Sequence, residues 1–187
     1  MKILAIADRP PSKPIYEIMK DNPNIDLIVT LGDLDFMILR ELKNITHIPK
    51  LGVYGNHCSM NYFEDLGIIN MHLNTFEYGG YLFGGFEGCV RYKEDSNSAL
   101  YTQEEATELM KDFPRVDILL CHAPPRGVND EESISHQGFD AFSLYCQKNK
   151  PQYLFHGHTY PKKEELITKY YETEIIYVQG EKIIIIN

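Results

Sequence analysis

The chain has 187 residues with 18 basic and 27 acidic side chains, and its formal net charge of −9 disfavours a surface that holds nucleic acid by neutralising many phosphates. A length within the ~100 to 200 residues typical of one domain predicts a single domain over residues 1–187 with a full core, and no apolar stretch nears the ~20 residues needed to cross a bilayer. The four cysteines (58, 89, 121 and 146) lack CxxC spacing and the start MKILAIADR lacks a signal-peptide apolar run, which together point to a reducing cytoplasm.

Taken in chain order, KILAIA at residues 2–7 has the length and β-branched content of a strand, and it stops at Asp8 and the triplet RPP, where prolines remove donors. Ser12 is predicted to cap a helix running to residue 20, with Pro14 tolerated in its first turn. DLIVTLG (26–32) is a second buried strand, followed by a helical pattern over 34–43 with Phe36, Ile38, Leu39 and Leu42 apolar, and KLGVYG (50–55) is a third strand. Strand, helix, strand with short links predicts parallel pairing with right-handed crossovers. From 68 to 92, short strands punctuated by glycine (EYGGYLFGGFEG) predict a meander with turns or bulges. TQEE places Thr102 and Glu105 as a capping box, predicting a helix over 102–111. VDILLCH (116–122) and QYLFHG (152–157) return as buried strands around a helix near 140–148, and IIYVQ with KIIII predicts a closing hairpin that turns at Gly180 and Glu181.

Among the polar residues, Asp8, Asp33, Asn56, His122 and His158 each fall at or just past the C-terminal end of an apolar strand. Open α/β sheets place their ligands there, because loops after several strands converge. Any one of the five has an ordinary role as a cap or turn residue. As a set they supply carboxylate, carboxamide and imidazole donors, a combination that suits manganese, iron or zinc.

The blocks GD (32–33), GNH (55–57), a strand-ending His122 and GH (157–158) occur in this order, with HAPPRG (122–127) and HQGF (136–139) between the last two. This pattern resembles the calcineurin-like metallophosphoesterases, in particular their small bacterial and archaeal members. The resemblance implies an α/β fold, a four-layer αββα sandwich with two mixed β-sheets. It also implies hydrolysis of a phosphomonoester or phosphodiester by a metal-bound hydroxide at a two-metal centre. By resemblance Asp33 bridges the ions, and Asn56, His122 and His158 complete the second site. His57 serves as the catalytic histidine at the leaving oxygen, a role that suits an imidazole. The implied cofactors are divalent ions, manganese first with iron, zinc or nickel as the others, and the implied partner is a phosphate-ester small molecule or nucleotide. Arg126 and His136 are candidates for substrate contact, or for ordering their loop.

Three positions depart from the family pattern. Asp8 matches the first ligand of the first metal, but Pro10 and Tyr160 stand where the family has histidines, so that site keeps Asp8 and the bridging Asp33. Tyr160 is either a hydrogen-bonding tyrosine or a phenolate ligand. Cys58 replaces the acidic residue that orients the catalytic histidine, and a thiol accepts hydrogen bonds poorly. These departures imply reduced activity, and they motivate an alternative in which the fold serves as a catalytically inactive binding or scaffold protein. Arg9 is either a phosphate contact or a solvent-exposed side chain. His156 should face away from His158 by strand alternation, and His47 and His72 are expected at the surface or at sheet edges.

Overall fold

The computed structural model describes residues 1–59, 61–95 and 97–187. Its elements in order are β1 (Lys2–Ala7), α1 (Ile15–Asp21), β2 (Leu27–Thr30), α2 (Phe36–Leu39), a 3-10 turn (Arg40–Asn44), β3 (Lys50–Gly52), α3 (Phe63–Leu66), β4 (Ile69–Asn70), β5 (Thr75–Tyr78), β6 (Tyr81–Phe86), β7 (Cys89–Val90) and β8 (Leu100–Tyr101). There follow α4 (Gln103–Met110), β9 (Ile118–Cys121), α5 (Asp140–Asn149), β10 (Tyr153–His156), β11 (Lys169–Tyr170), β12 (Thr173–Tyr177) and β13 (Gly180–Ile185).

Two large mixed sheets form. The five-stranded sheet has the order β13-β1-β2-β3-β4 and the six-stranded sheet the order β11-β12-β10-β9-β6-β5. Within them β1, β2, β3 and β4 run parallel, as do β6, β9, β10 and β12, and the antiparallel partners β13, β5 and β11 lie at the edges.

Strand alternation explains the layering. Ile3, Ala5 and Ala7 of β1 meet Phe83, Ile118, Leu120 and Phe155 of the other sheet in one buried cluster. The intervening Leu4 and Ile6 face outward onto Ile15, Ile18, Leu39, Leu42, Phe63 and Leu66, contributed by α1, α2, the 3-10 turn and α3. On the far side, Leu119 and Cys121 of β9 pack against Ala106 and Met110 of α4 and Phe142 and Tyr145 of α5. The order of layers is therefore helices, sheet, sheet, helices, as the αββα expectation has it.

The capping box forms as read: Thr102 accepts from the Glu105 N–H, and the Glu105 carboxylate accepts from the Thr102 N–H at 2.8 Å. Other expectations are corrected. Ser12 caps nothing, because its N–H and hydroxyl both turn to the Glu181 carboxylate, and the helix starts after Pro14, whose φ of −50° and ψ of 141° lie outside the helix. The pattern over 34–43 splits into α2, capped by Asp35, and the 3-10 turn. The segment 68–92 is no simple meander: β4 joins the first sheet, β5 and β6 form a hairpin in the second, and β7 pairs with β8. The closing hairpin does not exist either. β12 lies parallel to β10, then the chain crosses at Val178 and β13 runs antiparallel to β1 in the opposite sheet. The crossing lets Val178, Ile184 and Ile186 all enter the cluster between the sheets, a burial that a solvent-side hairpin would forgo. The chain does turn back tightly between β11 and β12, which are antiparallel.

Candidate metal centre

The parallel strands β1, β2, β3, β9 and β10 deliver five polar residues to one edge shared by both sheets, since Asp8 and His122 follow their strands directly and Asp33, Asn56 and His158 follow within a few residues. Main-chain hydrogen bonds tie these loops together: the Asp8 N–H donates to the Gly32 carbonyl at 3.1 Å, and the Gly157 N–H to the His122 carbonyl at 2.9 Å. Asp8, Asp33 and His158 all have left-handed backbones, with φ of 60°, 53° and 69°. For residues with a Cβ this conformation costs roughly 1–2 kcal/mol each, a cost the surrounding contacts must offset.

The glycine before each of three of these residues makes room for a side chain from another loop. A Cβ on Gly32 would stand 2.6 Å from His122 Nδ1, one on Gly55 would stand 2.5 Å from the Asp33 nitrogen, and one on Gly157 would stand 2.5 Å from Asp8 Oδ2. The pairs GD, GN and GH are thus a packing requirement of the convergence itself, in which backbone must lie directly against the neighbouring loop's polar group.

At the centre, His122 is fully buried and its Nδ1 lies 2.7 Å from the Leu31 carbonyl. A carbonyl only accepts, so Nδ1 carries a proton, and Nε2 points at Asn56 Oδ1 at 3.0 Å and at Asp33 Oδ2 at 3.5 Å. His158 shows the complementary arrangement: its Nε2 donates to the Ser135 carbonyl at 2.6 Å, which leaves the lone pair on Nδ1. The two imidazole rings are 4.7 Å apart between centroids, and donor atoms of Asp33, His122 and His158 all lie within 4.8 Å of one another. Backbone carbonyls that fix the outer nitrogen of a histidine are the usual partners of metal-ligating imidazoles.

The electrostatics agree. Burial penalises charge on Asp33, but the attraction of His122, its hydrogen bond and the His57 N–H outweigh it and hold the carboxyl well below the usual carboxylate range. Burial likewise works against a charged His122, yet Asp33 and Asp8 raise it to about 9. Two oxygens thus face one imidazole nitrogen, and positive charge must sit among them, whether as a proton or as a metal cation. The donor set of carboxylate, carboxamide and two imidazoles fits a divalent transition ion. Burial and the positive charge of His122 lower His158 to about 3, which keeps its ring neutral and its lone pair available.

Asp8 takes a different position. Both its oxygens lie 3.0 Å from the His158 N–H, so the carboxylate pins the His158 loop and links the two sheets. Burial raises it to about 6, His122 acting against the rise and Asp33 adding to it. Pro10 is exposed. Tyr160 is 53% exposed, and its ring lies 5.8 Å from the guanidinium carbon of Arg9 and 6.2 Å from the His136 ring. His57 is exposed on the loop after Asn56, and its N–H donates to Asp33 Oδ1 at 2.9 Å. Cys58 is buried and turned away from that edge, its sulfur accepting from the Gly55 N–H at 3.2 Å and from the Tyr62 hydroxyl at 3.5 Å.

His136 stands beside the centre, with its ring 5.4 Å from that of His158 and its Nδ1 held by Ser133 and Ser135 hydroxyls at 2.9 and 3.2 Å. Arg126 turns its Nε toward Asp130 at 3.7 Å within its own loop. His156 is buried away from the centre, where Nδ1 donates to the Gly157 carbonyl and Nε2 accepts from Asn129 at 3.0 Å. His47 is exposed, and His72 takes the other of the two expected places, at a sheet edge, where it bridges to Gly85 of β6. It lies half-buried, with Nδ1 accepting from the Glu87 N–H at 3.2 Å and Nε2 at 3.3 Å from the Tyr101 hydroxyl. Residue spacing gave no sign of this group, whose members come from three separate segments. The Leu31 and Ser135 carbonyls were equally silent, since any residue type can supply a carbonyl.

The sequence profile of the calcineurin-like phosphoesterases matches residues 1–162 of this chain. A search of curated proteins finds no match. Among solved structures, TT1561 of Thermus thermophilus superposes with a TM-score of 0.62 at 16% identity, over 96% of this chain and 89% of its own. A second solved chain has the same TM-score of 0.62 and 16% identity, over 94% of this chain and 89% of its own. At such identities the likeness concerns the fold.

Proposed function

The chain belongs to the calcineurin-like phosphoesterase family, and from that premise we propose that it hydrolyses a phosphoester with a divalent ion held by Asp33, Asn56, His122 and His158. The observation that carries this reading is the meeting of Asn56 and Asp33 oxygens at His122 Nε2, with His158 beside them. When bound, such an ion supplies charge stabilisation to phosphoryl oxygens and makes water more acidic. Manganese is our first choice, with iron, zinc and nickel behind it. Asp8 and Asp33 offer a thinner place for a second ion, because Pro10 adds no ligand and Tyr160 lies largely in solvent.

The chain's own residues have separable tasks. Asp8 locks the His158 main chain, the Leu31 and Ser135 carbonyls set the two histidine tautomers, and the His57 N–H fixes Asp33. The exposed His57 side chain is free to deliver a proton to the leaving oxygen, and His136 is placed to meet the phosphate beside His158. Four unpaired buried cysteines accord with a cytoplasmic home. The thin first site favours slow turnover, and in its limit a protein that binds metal and phosphate without hydrolysis.

The test is hydrolysis of bis-p-nitrophenyl phosphate by wild type and His57→Ala with added manganese, alongside metal analysis of both. Manganese-dependent turnover, lost ~10²- to 10⁴-fold in the variant while its metal content is kept, is the expected result. No turnover by wild type and no difference between the two proteins would refute catalysis and leave the binding role.

A further inference from the structure

The first metal position is poorer in ligands than the sequence alone implies. Among the described residues, one set of three His, Cys, Asp or Glu donors gathers within 4.8 Å, and it consists of Asp33, His122 and His158 without Asp8. Asp8 is engaged elsewhere. Both its oxygens lie 3.0 Å from the His158 N–H, and its Oδ2 would stand 2.5 Å from a Cβ on Gly157, so the carboxylate packs against the main chain of that loop. Pro10 carries no ligand atom in its side chain, and the Tyr160 ring neighbours Arg9 and His136. A divalent transition ion needs more donors than the shared Asp33 and an engaged Asp8 supply. The residues present do not fit a second ion.

A different cation stands beside that position. The guanidinium carbon of Arg9 lies over the Tyr160 ring, 5.8 Å from its centroid, within the ~6 Å at which an aromatic face attracts a cation. The same ring is 6.2 Å from that of His136, which is 5.4 Å from that of His158, so Arg9 belongs to the row of side chains bordering the centre. Arg9 forms no ion pair among the described residues. An aromatic face uses none of its N–H donors, and the planar fork stays open to an anion. The field agrees with the geometry. Burial raises the Tyr160 hydroxyl, Asp8 and Asp33 add to the rise, and Arg9 opposes it. Burial also raises the Tyr177 hydroxyl to about 12, with Asp8 adding and Arg9 opposing. Arg9 thus counters, from close by, the carboxylates that would repel an entering phosphate. Its backbone is held as well: the Arg9 N–H donates to the Ala7 carbonyl at 2.6 Å, and Pro10 restricts the residue before it. The two positions that lack metal ligands therefore share a use, Pro10 in fixing the Arg9 backbone and Tyr160 in seating its guanidinium.

We infer that this protein works with one divalent ion, and that the Arg9 guanidinium, seated on Tyr160, takes the position of the second and binds phosphoryl oxygens of the substrate. The inference deepens the phosphoester reading above and rests on it. A guanidinium matches phosphate through paired N–H···O bonds, and fixed positive charge at phosphoryl oxygens is the larger part of what a protein contributes to phosphoryl transfer. A guanidinium does not make water more acidic as a metal ion does, so phosphate binding is retained while turnover is slow.

The experiment titrates the full chain with manganese and then with inorganic phosphate by calorimetry, for wild type, Arg9→Ala and Arg9→Lys, and records the electron paramagnetic resonance of the bound manganese. Both Arg9 and Tyr160 are exposed, so their variants should fold. One ion per chain, with the spectrum of an isolated ion, is expected in all three proteins. Two ions per chain, or the spectrum of a spin-coupled pair, would overturn the single-ion assignment. Phosphate should bind Arg9→Ala roughly tenfold or more weakly than wild type, as loss of hydrogen bonds to a charged group requires. Arg9→Lys, which keeps the charge and loses the fork, should fall between them. Unchanged phosphate affinity in Arg9→Ala, or an altered metal content there, would overturn the role of Arg9. Tyr160→Ala should lose phosphate affinity severalfold and keep its one ion, and wild-type affinity in that variant would count against the seat. If wild type cleaves no ester, the catalytic reading fails by itself, and the binding results still decide the inference. Wild type that takes up no manganese overturns the metal centre and this inference together.

Discussion

Replacing Gly55 with alanine should damage the metal centre by one identifiable contact. The added Cβ would stand 2.5 Å from the Asp33 backbone nitrogen and closer still to the Asp33 carboxylate, and main chain cannot yield as a flexible side-chain tip can. Overpacking of this kind costs typically ~1–3 kcal/mol. A displaced Asp33 would also lose the 2.9 Å bond from the His57 N–H, and a hydrogen bond to a charged group contributes ~1.5–3 kcal/mol. The sum, about 2.5–6 kcal/mol, is a large share of the ~5–15 kcal/mol by which domains are stable. For metal binding, loss of a positioning contact lowers affinity ~10- to 100-fold. Urea unfolding gives the first quantity and manganese calorimetry the second. Gly80→Ala is the control: Gly80 has φ of 82° with nothing within 4 Å of an added Cβ, so it should lose roughly 1–2 kcal/mol from backbone strain alone and bind manganese as wild type does. A folded Gly55→Ala protein with wild-type manganese affinity would refute the account of why glycine precedes Asn56.

His158→Ala should lose bound metal while Tyr160→Phe retains it, as measured by elemental analysis after dialysis; full metal in the His158 variant would remove it from the ligand set. Thr102→Ala breaks the capping box and should cost ~1 kcal/mol, read as a lower urea midpoint with unchanged metal binding. Burial lowers His72 from 6.5 to about 4, so the unfolded chain takes up its proton first on acidification, and the stability this residue contributes above pH 6.5 is lost as pH falls toward 4. Between pH 6.5 and 4.5 that loss is on the order of 2–3 kcal/mol. Glu87, raised by burial and facing His72 with Tyr101, contributes with the opposite sign. His72→Gln should therefore flatten the acid side of the stability profile, and an equally steep fall in the variant would show that another group is responsible.

Much of the site was legible because its chemistry is local. GD, GNH and GH join a glycine that clears space to the polar residue that uses the space, so both halves of each requirement sit side by side in the chain. Capping at Thr102 and Glu105 was legible for the same reason, since one turn of helix contains every group involved. The start of the helix after Ser12 was not legible in the chain, because the Glu181 carboxylate that claims the serine arrives from 169 positions away.

Unbroken apolar runs marked β1 and β9 as strands buried on both faces, and the order of strands and helices settled the class of fold, because propensity and apolar patterning act between near neighbours. Assignment of β4, β12 and β13 to one sheet or the other was decided only in three dimensions, since an edge is chosen by the apolar area it buries against distant strands. The tautomers of His122 and His158 belong to that second kind. They depend on carbonyls and side chains that converge from separate loops, and no arrangement of letters along the chain encodes such meetings directly.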